Sequence, residues 1–286
     1  MASKEHDFSV GSIPRNIISL ALPMTAAQLI NVLYSVVDRI YLGRLPGHLA
    51  LTGLGLTLPI ISIVMGFANL CGTGGAPLCS IYRGKGEEEE AERIMGNAFT
   101  LLLIFGAAVT GVFLLFRHPL LYLFGASDNT IGYALDYMRI YALGTIFVQV
   151  TLGMNAYITA QGFTVVGMKT VLIGAVLNTV LDPVFIFVLH QGVRGAAIAT
   201  VISQLVSALW VMKFLTGKRA LIPLRRTQIR WQPEILKDTV QLGFSHFIMS
   251  FTNAVTQFAY NYELRALGGD VLVGAMTVIN SVREVV

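Results

Sequence analysis

Residues 174–189 read GAVLNTVLDPVFIFVL, a run apolar enough to lie in lipid that carries Asn178, Asp182 and Pro183 in its middle. A helix crossing the hydrocarbon of a bilayer needs about 20 mostly apolar residues, and this run qualifies because it reaches back to residue 165. Five more such runs precede residue 217, at about 16–41, 54–82, 95–116, 131–160 and 195–216. Hydrophobic residues make up 55% of the 286 and charged residues 13%, where soluble domains carry roughly 25% charged residues. The composition excludes an ordinary soluble domain and predicts an all-α polytopic membrane protein. Barrel strands would alternate apolar and polar over about 10 residues, whereas these runs are continuous and long. Helices also satisfy their own backbone groups, which lipid cannot do.

A seventh run extends over 239–262, and an eighth opens near 271 and meets Val286 with no polar flank, which predicts a chain that stops in mid-helix. The start, MASKEHDFSVGSIPRN, lacks the pattern of a cleaved signal peptide, so the first run should stay attached. Cys71 and Cys79 sit eight apart in one apolar run and are expected to pack, with neither a metal nor a disulfide role.

Orientation follows from the basic residues. The N-terminal segment and the loops after runs two, four and six hold Lys4, Arg15, Arg83, Lys85, Arg93, Lys169, Lys213, Lys218, Arg219, Arg225, Arg226, Arg230 and Lys237. The opposite side holds Arg39, Arg44, Arg117, Arg139, Arg194 and Arg265. By the positive-inside rule the N-terminus is cytoplasmic, as expected for a multi-pass protein of the cell membrane. The formal net charge of +4 is then a topology signal and implies no nucleic-acid partner.

The stretch 217–238, GKRALIPLRRTQIRWQPEILKD, is the one long polar interruption and is expected to be a basic cytoplasmic linker between a lobe at 1–216 and the start of a second at 239–286. Shifting the first run by 222 positions lays Leu20 on Leu242, Asn31 on Asn253, Leu45 on Leu267 and Gly47 on Gly269. Transporters are often built from such repeats, with substrate held between them. The acidic run Glu87–Glu90 with Glu92 and Arg93 reads as a solvated helical turn, with a gating role as the alternative.

An aspartate at the centre of a membrane helix costs on the order of 2.5–3.5 kcal/mol and demands compensation. At about 1.5 Å per residue, Asp38 in LINVLYSVVDRIYLG lies roughly 7 Å and Asp182 roughly 12 Å from the outer boundary, with Thr200 and Tyr137 at about 8–9 Å. Asn178 and Asp182 are four apart and share a helix face. Pro183 leaves the carbonyl of Thr179 without its usual donor, which bends a helix. Carboxylate, amide, hydroxyl and free carbonyl are hard oxygen ligands, suited to a proton or a small hard cation such as sodium. Other readings stand beside this one. Asp182 before Pro183 also fits an N-cap with a first-turn proline, Asp38 with Arg39 fits an ion pair at the headgroups, and Asn178, Thr200 and Tyr137 fit ordinary interhelical hydrogen bonding.

Four segments together resemble the multidrug and toxic compound extrusion (MATE) transporters: VDRIYLG at 37–43, YITAQGFTVVGMKT at 157–170, LNTVLDPVFIF at 177–187 and GVRGAAIATVISQ at 192–204. The resemblance covers nearly the whole chain. It implies a twelve-helix protein of two six-helix lobes, here the first lobe and the start of the second, monomeric at full length. It further implies export of cationic or amphipathic small molecules driven by inward sodium ions or protons, with no cofactor and no enzyme chemistry. Residue by residue it implies that Asp38, Asn178, Asp182 and Thr200 form a cation-coupling site, and that Tyr137, Tyr34 and Asn155 lie near that site or its cavity. One departure is LGFSHF at 242–247, where the family often has proline after glycine, and the repeat partner of Asp38 is Tyr260, so the acid is not duplicated. Gly72, Gly74, Gly75 and Gly195 are expected at close helix crossings.

Three rivals are weighed against this reading. An ATP-driven exporter needs GxxxxGK[ST], which Gly84, Lys85 and Gly86 do not provide. A seven-helix receptor needs the opposite orientation. A lipid-linked saccharide flippase of the same superfamily would carry a more cationic cavity than these acids make.

Overall fold

The structure, a computed structural model, describes residues 12–45 and 49–285. Lys4 and Gly47, used above for orientation and repeat, lie outside the described residues. Among the described residues eight α-helices follow in order: α1 Ile13–Gly43, α2 Leu49–Gly84, α3 Glu88–Leu115, α4 Arg117–Leu123, α5 Ile131–Ala160, α6 Thr164–Pro183, α7 Gly192–Leu215 and α8 Pro233–Val285. No strand occurs among the described residues. Six described helices, α1, α2, α3, α5, α6 with the turn that follows it, and α7, are long and apolar enough to cross a membrane. They correspond to the six runs before residue 217. The seventh and eighth runs are helical within α8, but α8 is not among those six, because Gln241, Ser245, His246, Asn253, Gln257 and Asn261 interrupt its apolar character.

Long α2 and α5 form the spine. Both are rich in Gly, Ala and Thr, which lets neighbours approach closely where lipid gives no hydrophobic drive to association. A Cβ on Gly72 would sit 2.9 Å from the Gly153 carbonyl oxygen of α5. Two apolar clusters fill the bundle. The first gathers Leu54, Leu56, Ile60, Met138 and Ile186, and the second gathers Met95, Leu102, Met154, Ile158 and Leu215. Cys71 and Cys79 are free and buried in the second, with the Cys79 thiol donating to the Ala91 carbonyl at 3.1 Å.

The expected linker is not a loose tether. Ile222 and Leu224 are buried against Ile94 and Met95, and the Ile222 N–H donates to Gln161 Oε1 at 2.9 Å. Asn97 of α3 exchanges two bonds with Gln232, at 2.7 and 3.1 Å. Glu88–Glu90 form the first turn of α3, where Arg93 pairs with Glu89 and Glu90, while Glu92 is buried and pairs with Arg225 of the linker at 3.2 Å. The acidic run is thus a solvated turn on one side and an anchor on the other.

α8 packs mainly along α2. It breaks at Gly268–Gly269, where Gly269 takes φ +65°, a left-handed conformation that costs glycine nothing. That break falls where the 222-residue shift places Gly47. Asp270, just past it, accepts from Ser127 Oγ at 2.8 Å and, through its carbonyl, from Thr52 Oγ1 at 3.0 Å. At the other end Gly243, inside LGFSHF, lets the α8 backbone meet the Leu70 carbonyl so closely that a Cβ would collide with it. Gly84, by contrast, is helical with nothing within 4 Å of a built Cβ. Gly243→Ala should therefore lower thermal stability in detergent by the equivalent of about 1–3 kcal/mol of overpacking. Gly84→Ala should raise it by roughly 0.5–1 kcal/mol through lower unfolded-state entropy. Thermal melts of the two variants, read for opposite signs, check this.

Candidate functional site

Pro183 shapes the backbone around the acids. With no N–H of its own it cannot continue the helical ladder, and the next N–H, of Val184, bonds to the Leu181 carbonyl three residues back. A π-helical turn, Val184–Val188, follows, with the Leu189 N–H reaching the Val184 carbonyl at 2.9 Å. π turns widen a helix and are frequent at functional sites. His190 and Gly192, at φ +52° and +53°, then reverse the chain into α7. Gly195 of α7 packs directly on this turn, its built Cβ 2.6 Å from the Phe185 backbone.

Asp182 therefore lies inside a continuous helical segment, and its side chain makes no cap hydrogen bond. It bonds backward along its own face: Asn178 Nδ2 donates to Asp182 Oδ1 at 3.2 Å and to Thr200 Oγ1 of α7 at 3.3 Å. The carboxyl of Asp38, from α1, meets that of Asp182 within hydrogen-bonding reach. Tyr137 of α5 is buried with its hydroxyl near Thr200, and its ring stacks on Tyr141 with centroids 5.7 Å apart. Asn178 and Asp182 are 2% and 0% exposed. Four helices thus contribute one cluster: Asp38, Asn178, Asp182, Thr200 and Tyr137.

The cluster is short of donors. Asp38 Oδ1, Asp182 Oδ2 and Asn178 Oδ1 are shielded from solvent and have no hydrogen-bond partner among the described residues. An unmet buried acceptor costs about 1–3 kcal/mol, more when charged. A proton on one of the carboxyls, or a small hard cation held by Asp38, Asp182 and Asn178, would meet that need with oxygen ligands. The cluster offers carboxylate, amide and hydroxyl oxygens and no thiolate or imidazole, a donor set for a hard cation rather than for zinc or copper.

A cavity of about 30 Å³ opens beside the cluster, lined by Asn178, Thr200, Tyr34 and Asn31, and continues past Ser203, Gln204, Ser207 and Thr170. It is large enough for one or two small polar guests, since a single water needs about 10–15 Å³. Tyr34 is on this wall. Asn155 is not. It follows Tyr137 by 18 residues on α5, about 27 Å along the helix, and its Nδ2 braces the start of α6 on the Gly167 carbonyl at 3.3 Å. Of the cavity wall, Thr151, Thr170, Ser203, Gln204 and Ser207 were missed by sequence reasoning. Their signal was spacing: Thr170, Gly174, Asn178 and Asp182 recur every four residues on α6, and Thr200, Ser203, Gln204 and Ser207 follow three- and four-residue steps on α7. The two stripes face each other, with Ser207 Oγ donating to the Thr170 carbonyl at 3.3 Å.

A family model described as MatE matches residues 23–184, which brackets both acids. The multidrug export protein MepA of Staphylococcus saprophyticus is 27% identical over 261 residues, spanning 91% of this chain and 58% of that protein. Among solved structures, the MATE multidrug transporter DinF-BH, in complex with a small-molecule ligand, superposes with a TM-score of 0.89 at 33% identity, over 94% of this chain and 60% of that one. A MOP superfamily transporter from Pyrococcus furiosus, described as having a binding pocket of reversed polarity that suggests a different function, superposes with a TM-score of 0.85 at 26% identity, over 96% of this chain and 61% of that one. The chain spans about 58% of the length of the curated relatives it matches.

Because Asn178 alone donates to both Asp182 and Thr200, Asn178→Leu should cost about 1–3 kcal/mol of stability. Asn155→Leu, which removes a single 3.3 Å bond, should cost less. Unfolding of the two variants in the same detergent tests that order.

Proposed function

The chain belongs to the MatE family, and from that membership we propose that it carries the cation-coupling lobe of a secondary active antiporter exporting cationic or amphipathic compounds in exchange for sodium ions or protons. One observation supports this most: within one cluster, three buried acceptor oxygens, on Asp38, Asp182 and Asn178, have no donor among the described residues. Two carboxyls in contact repel when both are ionised, and a low dielectric strengthens the repulsion. Loading one proton or one sodium ion removes it. The loaded cluster then draws α1 and α6 together through Asp38 and Asp182, and unloading lets them part.

A ligand shifts a conformational equilibrium only by its differential affinity for the two states. The cation binds more tightly where the carboxyls meet, and that conformer is the one that releases the exported compound outward. Loss of the cation to the cytoplasm accompanies rebinding of the compound. The orientation that goes with this cycle places the N-terminus in the cytoplasm, on the side rich in lysine and arginine. MepA is named for multidrug export and DinF-BH is a multidrug transporter solved with a bound small molecule, which supports an amphipathic cargo. The flippase alternative calls for a cationic cavity, and this cluster is acidic.

The test is efflux of a fluorescent cationic dye from vesicles containing the protein, under an imposed sodium or proton gradient. Asp38→Asn and Asp182→Asn should each slow gradient-driven efflux by about tenfold or more, the equivalent of losing one charged hydrogen bond of ~1.5 kcal/mol. Unaltered efflux in both variants at equal protein density would sink the proposal.

A further inference from the structure

A second, larger cavity lies away from the acids, at the end of the bundle where the linker docks. Its volume is about 550 Å³, and Lys169, Lys213, Lys218 and Arg219 line it together with Trp210 and Phe214. No acidic residue lines it. None of the four cations takes part in an ion pair among the described residues, whereas Arg93 and Arg225 are paired with glutamates. Four positive charges gathered around a concave space raise one another's energy unless an anion joins them. The indole N–H of Trp210 is buried without an acceptor, and it is a donor only.

The faces below the cavity are apolar and exposed. On α6, Val165, Lys169, Leu172 and Val176 follow four-, three- and four-residue steps and share one face. On α7, Val206, Leu209 and Lys213 do the same. Val165, Leu172 and Val176 are 48%, 39% and 52% exposed, and Val206 and Leu209 are 37% and 60%. Each lysine therefore lies on an exposed apolar strip, Lys213 at its end and Lys169 one turn inside it, and a tryptophan lines the same cavity, where such rings settle at membrane interfaces.

We infer that this groove between α6, α7 and the turn after α7 binds the phosphate of an anionic phospholipid, with the acyl chains lying along the α6 and α7 strips. Lysine ammoniums and the Arg219 guanidinium meet the phosphate oxygens by charge-assisted hydrogen bonds, and Trp210 supplies a further donor. Basic pockets between membrane helices on the cytoplasmic side bind anionic headgroups by this chemistry. The apolar strips commit the site to a lipid, because a soluble phosphate would gain nothing from them. The inference is independent of the coupling site, so neither stands or falls with the other.

The chain has two tryptophans, Trp210 and Trp231, which allows a direct test. In a Trp231→Phe background, Trp210 emission is measured in vesicles of phosphatidylcholine containing a fixed share of acyl-brominated phosphatidylglycerol or acyl-brominated phosphatidylcholine. Stronger quenching by the phosphatidylglycerol is expected. Lys169→Gln with Lys213→Gln should weaken that preference roughly tenfold in apparent affinity. Lys169→Arg with Lys213→Arg should keep it, as should Arg226→Gln with Arg230→Gln, which removes two charges outside the cavity. The inference is overturned by equal quenching from the two lipids, by a preference that survives the glutamine pair or is lost in the arginine pair, or by equal loss in the outside pair. Displacement of the lipid by millimolar inorganic phosphate would also overturn it, in favour of a soluble phosphate.

Discussion

The contact between the carboxyls of Asp38 and Asp182 is the constraint on which the rest of this bundle depends. Two like-charged groups are brought together inside an apolar fold, and every nearby feature either tolerates that meeting or makes use of it. Asn178 directs its amide donors to Asp182 and Thr200 and leaves its own carbonyl oxygen buried and without a donor among the described residues. Pro183 and the π turn after it open the backbone one step beyond Asp182, and Gly195 lets α7 close over that turn. On the proposed reading the cluster is unfavourable when empty of positive charge and satisfied by one unit of it, as coupling to a cation requires.

α1 is held differently from the other membrane-length helices. It packs mainly on α6, with Ile17, Leu22, Leu29 and Leu33 more than half exposed. α2, α3, α5 and α7 are fastened by close glycine crossings, shared apolar clusters and the docked linker. The acid on the least-packed helix thus faces the acid on a helix loosened by proline. A change of one charge between them acts first on α1, which has little else to hold it, so a modest difference in binding energy can move it.

Much of this was legible in the sequence. Run length and low charge marked the helices, and the four-residue step from Asn178 to Asp182 marked the shared face. The depth argument grouped Asp38, Asp182, Thr200 and Tyr137 before any contact was visible, because antiparallel helices crossing one slab bring equal depths together. Asn155 shows what a motif does not carry: counting along α5 places it far from Tyr137, at the opposite end of the cavity, one turn beyond Thr151. The cavity wall was missed because Ser203, Ser207 and Thr170 are cheap to bury and raise no alarm in a hydropathy reading. The linker's docking was hidden for the opposite reason, since its many cations mask Ile222 and Leu224, two apolar residues it buries.

Residence of the cation on the Asp38–Asp182 pair is tested most directly by infrared difference spectroscopy of the protein in lipid. Stepping between high and low proton or sodium concentration should produce a carboxyl difference band that is lost or shifted in both Asp38→Asn and Asp182→Asn. It should persist in Asp136→Asn, whose carboxylate is held by Arg194 at 2.8 Å away from the pair. A band that survives both substitutions, or no carboxyl band under either ion, would contradict the account.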